Sequence, residues 1–326
     1  MMDLKMLQTL YDSTREWFVV VPPFLCPATF VFDAPFGRFA TSTRSIFTVD
    51  GIRSWICMEL VSLVFFVNAY LRSPLSPTST LSLTSASGFL PNAPSLSLTH
   101  PPTLLAAAYI THYLNRALIS PLRTPSRSTS HLLVVSSAVL FNIVNGSLMG
   151  AYLSSPSAQA FLRDAFARPS FWLGLGLWAA GFAGNIVHDE ILLNIRRTAK
   201  KAPAPSQGAG GDDDDDANNG KDKKTQPQSK PKGEHYAIPH GLLYRLISYP
   251  NYLCEWAEWL GFALAAGPAP SCASLGAFVA SASPPWLFFF NEVWLMLPRA
   301  YKGHRWYHAR FPDYPKERKA VIPFLF

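Results

Sequence analysis

Seven stretches of nearly continuous apolar residues punctuate this chain, at 17–32, 55–71, 102–122, 131–153, 170–195, 246–266 and 273–298. Polar segments between them carry most of the charge. Each stretch approaches the roughly 20 residues a helix needs to cross a bilayer, the first two being short. Pro22, Pro23 and Pro27 make the first one helical only where neighbouring groups satisfy the carbonyls they free. The pattern predicts an all-α integral membrane protein, a bundle of seven transmembrane helices. Three units follow: 1–197 with the first five helices, a low-complexity loop at 198–234, and 235–326 with the last two helices and a tail.

The apolar stretches are interrupted in an ordered way. In R-L-I-S-Y-P-N-Y-L-C-E-W-A-E-W, residues 245–259, Asn251, Glu255 and Glu258 fall at roughly 0°, 40° and 340° on a helical wheel, one narrow stripe. Carboxylates at hydrocarbon depth are costly and mark a functional cavity by default. A helix end reaching headgroup water is the bland alternative. The fifth stretch continues as N-I-V-H-D-E-I-L-L-N-I-R-R, which puts Asn185, Asp189 and Arg196 at roughly 0°, 40° and 20°. A snorkelling helix end explains the arginines but neither Asn185 nor Asp189. The third stretch, A-Y-I-T-H-Y-L-N-R-A-L, holds His112, Tyr113, Asn115 and Arg116, which cannot all face lipid. The second carries Glu59 with Trp55 one turn below. Gly146 with Gly150, and the glycines of G-L-G-L-W-A-A-G-F-A-G, read as helix-packing positions; no strand precedes the latter, so it is no dinucleotide fingerprint.

Charge then orients the bundle. Of 28 Lys and Arg, 21 fall in segments 33–54, 123–130, 196–235 and 299–326, against 5 in the alternate segments. The positive-inside rule places the C-terminus and the 198–234 loop in the cytosol. The net charge of +7 is thus mainly a topology signal, and no nucleic-acid-binding pattern accompanies it. The four cysteines are scattered without metal spacing and read as free thiols. His304 and His308 stand at i, i+4 but lack a third ligand, so no metal is expected. No cleavable signal peptide is read; the first stretch itself would direct insertion. Residues 73–101 and 198–234, the latter with Asp212 to Asp216, read as flexible loops.

Several motifs resemble the steroid 5α-reductase family, the 3-oxo-5α-steroid 4-dehydrogenases. They are N-I-V-H-D-E-I-L, Y-A-I-P-H-G-L-L-Y, S-Y-P-N-Y-L-C-E-W-A-E-W-L-G-F-A-L, P-R-A-Y-K-G-H-R-W-Y and the closing F-P-D-Y-P-K-E-R-K-A-V-I-P-F-L-F. Before Asn185 the likeness is thinner, resting on W-I-C-M-E, H-Y-L-N-R, Arg127 and N-G-S-L-M-G-A-Y-L. The resemblance implies an enzyme of the endoplasmic reticulum membrane with seven transmembrane helices and a cytosol-facing cofactor cavity. Such an enzyme reduces the carbon–carbon double bond of a steroid or lipid enone with NADPH, and no obligate protein partner is implied. Carried over by position, Glu59 and Tyr113 resemble the pair that holds the substrate carbonyl. Trp55, Arg116, Arg127, Asn185, Asp189, Arg196, Tyr236, Asn251, Arg299, His304 and Tyr307 resemble the cofactor cradle. Glu255 and Glu258 would line the substrate cavity. The P-N-Y-x-x-E core recurs in sterol C14-reductases and in membrane methyltransferases that use S-adenosylmethionine. Enoyl-CoA and polyprenal reductases are nearer alternatives.

Overall fold

Helices dominate the structure, a computed structural model that describes residues 3–40, 45–77, 94–201 and 236–326. The α-helices are α1 (Leu4–Val31), α2 (Gly51–Arg72), α3 (Pro101–Leu114), α4 (Ser120–Arg123) and α5 (Leu132–Leu153). They continue with α6 (Pro156–Leu162), α7 (Pro169–Lys201), α8 (Pro250–Ala266), α9 (Leu275–Ser281) and α10 (Pro284–Arg310). The one sheet among the described residues pairs β1 (Thr48–Val49) antiparallel with β2 (Ser130–His131), Thr48 opposite His131. Among the described residues, three helices are long and apolar enough to cross a membrane: α2, α5 and the Pro169–Lys200 part of α7.

The prolines of α1 do not break it. Pro22 has no N–H for the carbonyl of Phe18, and the Asn291 side chain of α10 donates to that oxygen instead, at 3.0 Å. The helix starts at Leu4, well before the expected stretch, because the Asp3 carboxylate accepts from the Met6 N–H.

Two expected spans are not single helices. The third continues from α3 through a π-helical turn, Asn115–Ile119, into α4. Pro121 explains the widened turn. The Ser120 N–H bonds back to Asn115, and the indole of Trp55 donates to the Arg116 carbonyl at 3.2 Å, which Pro121 cannot serve. The seventh, 273–298, is split at Ala282 and Ser283. Pro284 and Pro285 open a new helix where their missing N–H groups cost nothing. The guanidinium of Arg15 takes up the carbonyls of Val279 and Ala282 left at the break. Beyond it α10 runs 27 residues, through Pro298 to Arg310. The helix α7 likewise reaches Lys201, into the expected loop at 198–234; residues 202–235 and 78–93, where the loop expectations mainly fall, lie outside the described residues.

Glycine sets the two closest helix pairs. Gly146 and Gly150 of α5 lie against the backbone of α2 at Ser62, Phe66 and Tyr70, and Gly174, Gly181 and Gly261 close α7 onto α8. An aromatic core that includes Phe66, Tyr109, Trp259, Phe262 and Phe288 fills the space between the pairs. The C-terminal segment folds back along the start of α8. Lys319 N–H donates to Leu246 O at 2.9 Å, and Ser248 N–H and Tyr249 N–H donate to Lys319 O and Ala320 O.

Candidate active site

A cavity of about 340 Å³ opens where α2, α3, α7, α8 and α10 converge with the segment around Phe36. The stripe read from the sequence of α7 forms one wall. Asn185 Nδ2 donates to Glu255 Oε2 at 3.1 Å and to the Asn251 carbonyl at 3.2 Å, and Asn251 Nδ2 donates to Asp189 Oδ1 at 3.0 Å. Side chains a turn apart on two facing helices therefore interlock, which the helical period requires once the glycines bring α7 and α8 together.

Arg116 sits at the deep end and ties three helices. Its Nη1 donates to Glu255 Oε1 at 2.7 Å and its Nε to Glu59 Oε1 at 3.1 Å. Glu59 and Glu255 are both buried, so the guanidinium supplies the compensating charge that carboxylates out of water require. Trp55 lies beneath two cations, with the Arg127 guanidinium 3.6 Å from its ring centroid and that of Arg116 at 5.2 Å.

Of the cradle residues expected from the sequence, Trp55, Arg116, Arg127, Asn185, Asp189, Arg196, Tyr236, Asn251, Arg299 and Tyr307 line this cavity, and so does Glu255. His304 stands behind the wall, its Nδ1 2.7 Å from the hydroxyl of Ser248, which does line it. Burial and the neighbouring His308 and Lys319 hold the His304 imidazole down at about 4. Glu258 is outside the cavity wall: it is fully buried and faces Nδ1 of His112 at 2.7 Å. Its position two turns along α8 from Asn251 carries it past the deep end, beneath the imidazole.

Glu59 and Tyr113 are adjacent to the cavity rather than in its wall. Glu59 is held by Arg116. The hydroxyl of Tyr113 accepts from Asn145 Nδ2 at 3.1 Å, and the same amide donates to Tyr109, whose hydroxyl lies 2.7 Å from that of Ser62. The structure thus bonds the two residues to different partners, with Arg116 one turn from Tyr113 on the same helical strand.

His112 and Asn115, read from the sequence as polar positions that cannot face lipid, line the cavity. Sequence reasoning missed Ser248, Tyr249 and Tyr252, which sit beside Asn251 without any periodic signal. Arg38 comes from the segment 33–54, which the sequence reading used only for its charge. Its guanidinium lies among the rings of Tyr307 (4.7 Å), Trp306 (4.9 Å), Tyr236 and Tyr249 (5.4 Å each).

The sequence matches known proteins over most of its length. The family model described as 3-oxo-5-alpha-steroid 4-dehydrogenase matches residues 128–209 and 217–326, which include the α7, α8 and α10 walls. An uncharacterized protein of Schizosaccharomyces pombe is 37% identical over 303 residues, covering 92% of this chain and 93% of its own. The rat 3-oxo-5-alpha-steroid 4-dehydrogenase 1 is 29% identical over 292 residues, 90% of this chain and 86% of its own. The steroid 5-alpha-reductase DET2 of Solanum lycopersicum is 29% identical over 304 residues, 90% and 89%. With the match running through α7, α8 and α10, three of the helices that wall the cavity, and over more than half of the chain, the chain belongs to the 3-oxo-5-alpha-steroid 4-dehydrogenase family.

Proposed function

We propose that this protein is an NADPH-dependent oxidoreductase that reduces the carbon–carbon double bond of a 3-oxo-Δ4-steroid or a related lipid enone. It would act in the endoplasmic reticulum membrane, crossing it with seven helical segments and leaving its C-terminus in the cytosol. The carrying observation is one cavity in which arginines meet an Asn–Asp–Glu relay, with a buried ion cluster at its deep end. That donor set fits a nicotinamide dinucleotide. Arg127, Arg196 and Arg299 provide cationic donors for its phosphates, and Asn185, Asp189 and Asn251 offer the paired donors and acceptors an amide and ribose hydroxyls need. Bound there, the cofactor supplies the hydride.

The chain's own groups do the rest. Reduction at the β-carbon of an enone throws negative charge onto the carbonyl oxygen, and donors placed in a dry site stabilise that charge most. The Tyr113 hydroxyl is the proposed donor. Asn145 feeds it a hydrogen bond and thereby aims its proton away from the amide. Glu59 is proposed to share the carbonyl site. Arg116 fixes Glu59 on one side and Glu255 on the other, so the cluster holds α2 and α8 at a set distance across α3.

The test uses purified protein in micelles with NADPH and a set of 3-oxo-Δ4-steroids and lipid extracts. Products heavier by two hydrogens, with matching loss of NADPH absorbance, are expected. Absence of any such product, with thermal stabilisation by S-adenosylmethionine instead of NADPH, would replace the reductase reading with a methyltransferase one.

A further inference from the structure

Arg38 is the cavity residue whose chemistry the structure leaves incomplete. Among the described residues its buried Nη1 has no hydrogen-bond partner, and no carboxylate lies within ion-pair distance of it. Four aromatic rings surround the guanidinium at 4.7–5.4 Å. Rings stabilise a cation through their faces but leave its in-plane N–H groups without acceptors. A buried donor left without an acceptor is costly, and beside a guanidinium the acceptor that best satisfies it is an anion.

The backbone that carries Arg38 is set in advance. Gly37 adopts φ +61°, and its carbonyl accepts from the hydroxyl of Ser128 at 3.1 Å. The carbonyl of Pro35 accepts from His131 N–H at 3.1 Å, beside the β1–β2 pair. Arg299 stacks on Phe36 at 3.6 Å and its Nη2 donates to the Phe36 carbonyl at 3.4 Å. A side chain merely filling space at a loop would not need three anchors within four residues. The bland role, a cation stacked to hold the loop, accounts for the rings but not for the orphaned donor.

We propose that Arg38 is a phosphate-binding residue of the cofactor site, closing on the pyrophosphate or the 2′-phosphate of the dinucleotide from the side opposite α7. This rests on the reductase reading above. It adds to the cradle a residue contributed by the α1–α2 connection, so the site is completed by an element far from the last two helices in sequence.

Binding, read from NADPH and NADH fluorescence titrations, tests it without turnover. Arg38→Gln should weaken NADPH binding about tenfold or more, the scale of one lost charge-assisted contact. An equal loss for NADH assigns the contact to the pyrophosphate, and a loss confined to NADPH assigns it to the 2′-phosphate. Either outcome supports the proposal. Thermal unfolding without nucleotide is run alongside. Should Arg38→Gln fail to fold, Arg38→Lys decides, since it keeps the charge in its aromatic cage but loses the planar fork; intermediate affinity is expected. Wild-type affinity for both dinucleotides, in Arg38→Gln or, where that variant does not fold, in Arg38→Lys, overturns the proposal. Wild-type protein that binds neither dinucleotide overturns the reductase reading first, and this inference with it.

Discussion

Replacing Tyr113 by Phe removes a single oxygen from the end of a hydrogen-bonded chain, and its two consequences can be separated. The first concerns stability. Asn145 Nδ2 has two hydrogens, directed to Tyr109 and Tyr113 at 3.1 Å each, so the variant leaves one buried N–H without an acceptor. That costs about 1–3 kcal/mol. The second concerns rate. If the Tyr113 hydroxyl stabilises the developing oxyanion, its loss slows reduction by about 10²–10³-fold, or roughly 2.7–4 kcal/mol of transition-state stabilisation. Asn145→Ala is the control: it disturbs the same chain but keeps the hydroxyl, so it should unfold more easily yet lose far less rate. Glu59→Gln should also be slow, and the double variant with Tyr113→Phe little worse than the slower single one, since groups acting as a unit are not additive. Single-turnover loss of NADPH absorbance in all variants, with melting curves beside it, is the assay. A wild-type-like rate for Tyr113→Phe, or the same rate loss in Asn145→Ala, would show that the residue only packs.

Four further outcomes are expected. Arg196→Ala should weaken NADPH binding by about 1.5–3 kcal/mol, the value of a charge-assisted hydrogen bond, and equal titration curves for variant and wild type would remove it from the cradle. Gly174→Ala puts a Cβ 2.7 Å from the Gly261 carbonyl, a backbone atom that cannot swing aside, and should cost about 1–3 kcal/mol in detergent melts; unchanged melting would mean that the α7–α8 seam yields freely. His304 titrates at about 4 in the fold against about 6.5 unfolded. The unfolded chain therefore binds the extra proton between those values, so stability should fall as pH drops from about 6.5 towards 4, and His304→Gln should flatten that part of the melting profile. A tag at the C-terminus should be digested in sealed microsomes while one at the N-terminus is protected; the reverse pattern would invert the topology drawn from the lysine and arginine distribution.

How much of this was legible in advance follows from what periodicity can and cannot encode. Asn185, Asp189 and Arg196 could be grouped because one helix repeats every 3.6 residues, and all three line the cavity. The same rule put Glu258 with Asn251 and Glu255. A wheel has no axial coordinate, however, and two turns along α8 Glu258 has left the cavity wall and bonds to His112 from behind it. The glycine seams were readable because only a missing side chain permits such approach. The division of the last span was signalled by Ser283 before Pro284 and Pro285, a helix-start pattern that overall hydrophobicity concealed. The π turn at Asn115–Ile119 had a quieter signal, Pro121 inside an otherwise regular stretch. Arg38 had none. Its neighbours at Tyr236, Tyr249, Trp306 and Tyr307 are some 200 residues or more away along the chain, and a loop has no period from which their meeting could be inferred.

The two glycine seams have a consequence for how the protein should be handled. Each joins its own pair of helices closely, α2 to α5 and α7 to α8, while between the pairs the cavity interrupts the aromatic core and is spanned there by Arg116. The gap in the plane between the pairs is therefore the one its ligand would occupy. Any molecule that spans that plane acts as a clasp, and mass action sets its strength: about 2.7 kcal/mol when its concentration is a hundred times its dissociation constant. Extraction from the membrane with the nucleotide present, rather than its addition afterwards, should therefore raise the yield of folded protein.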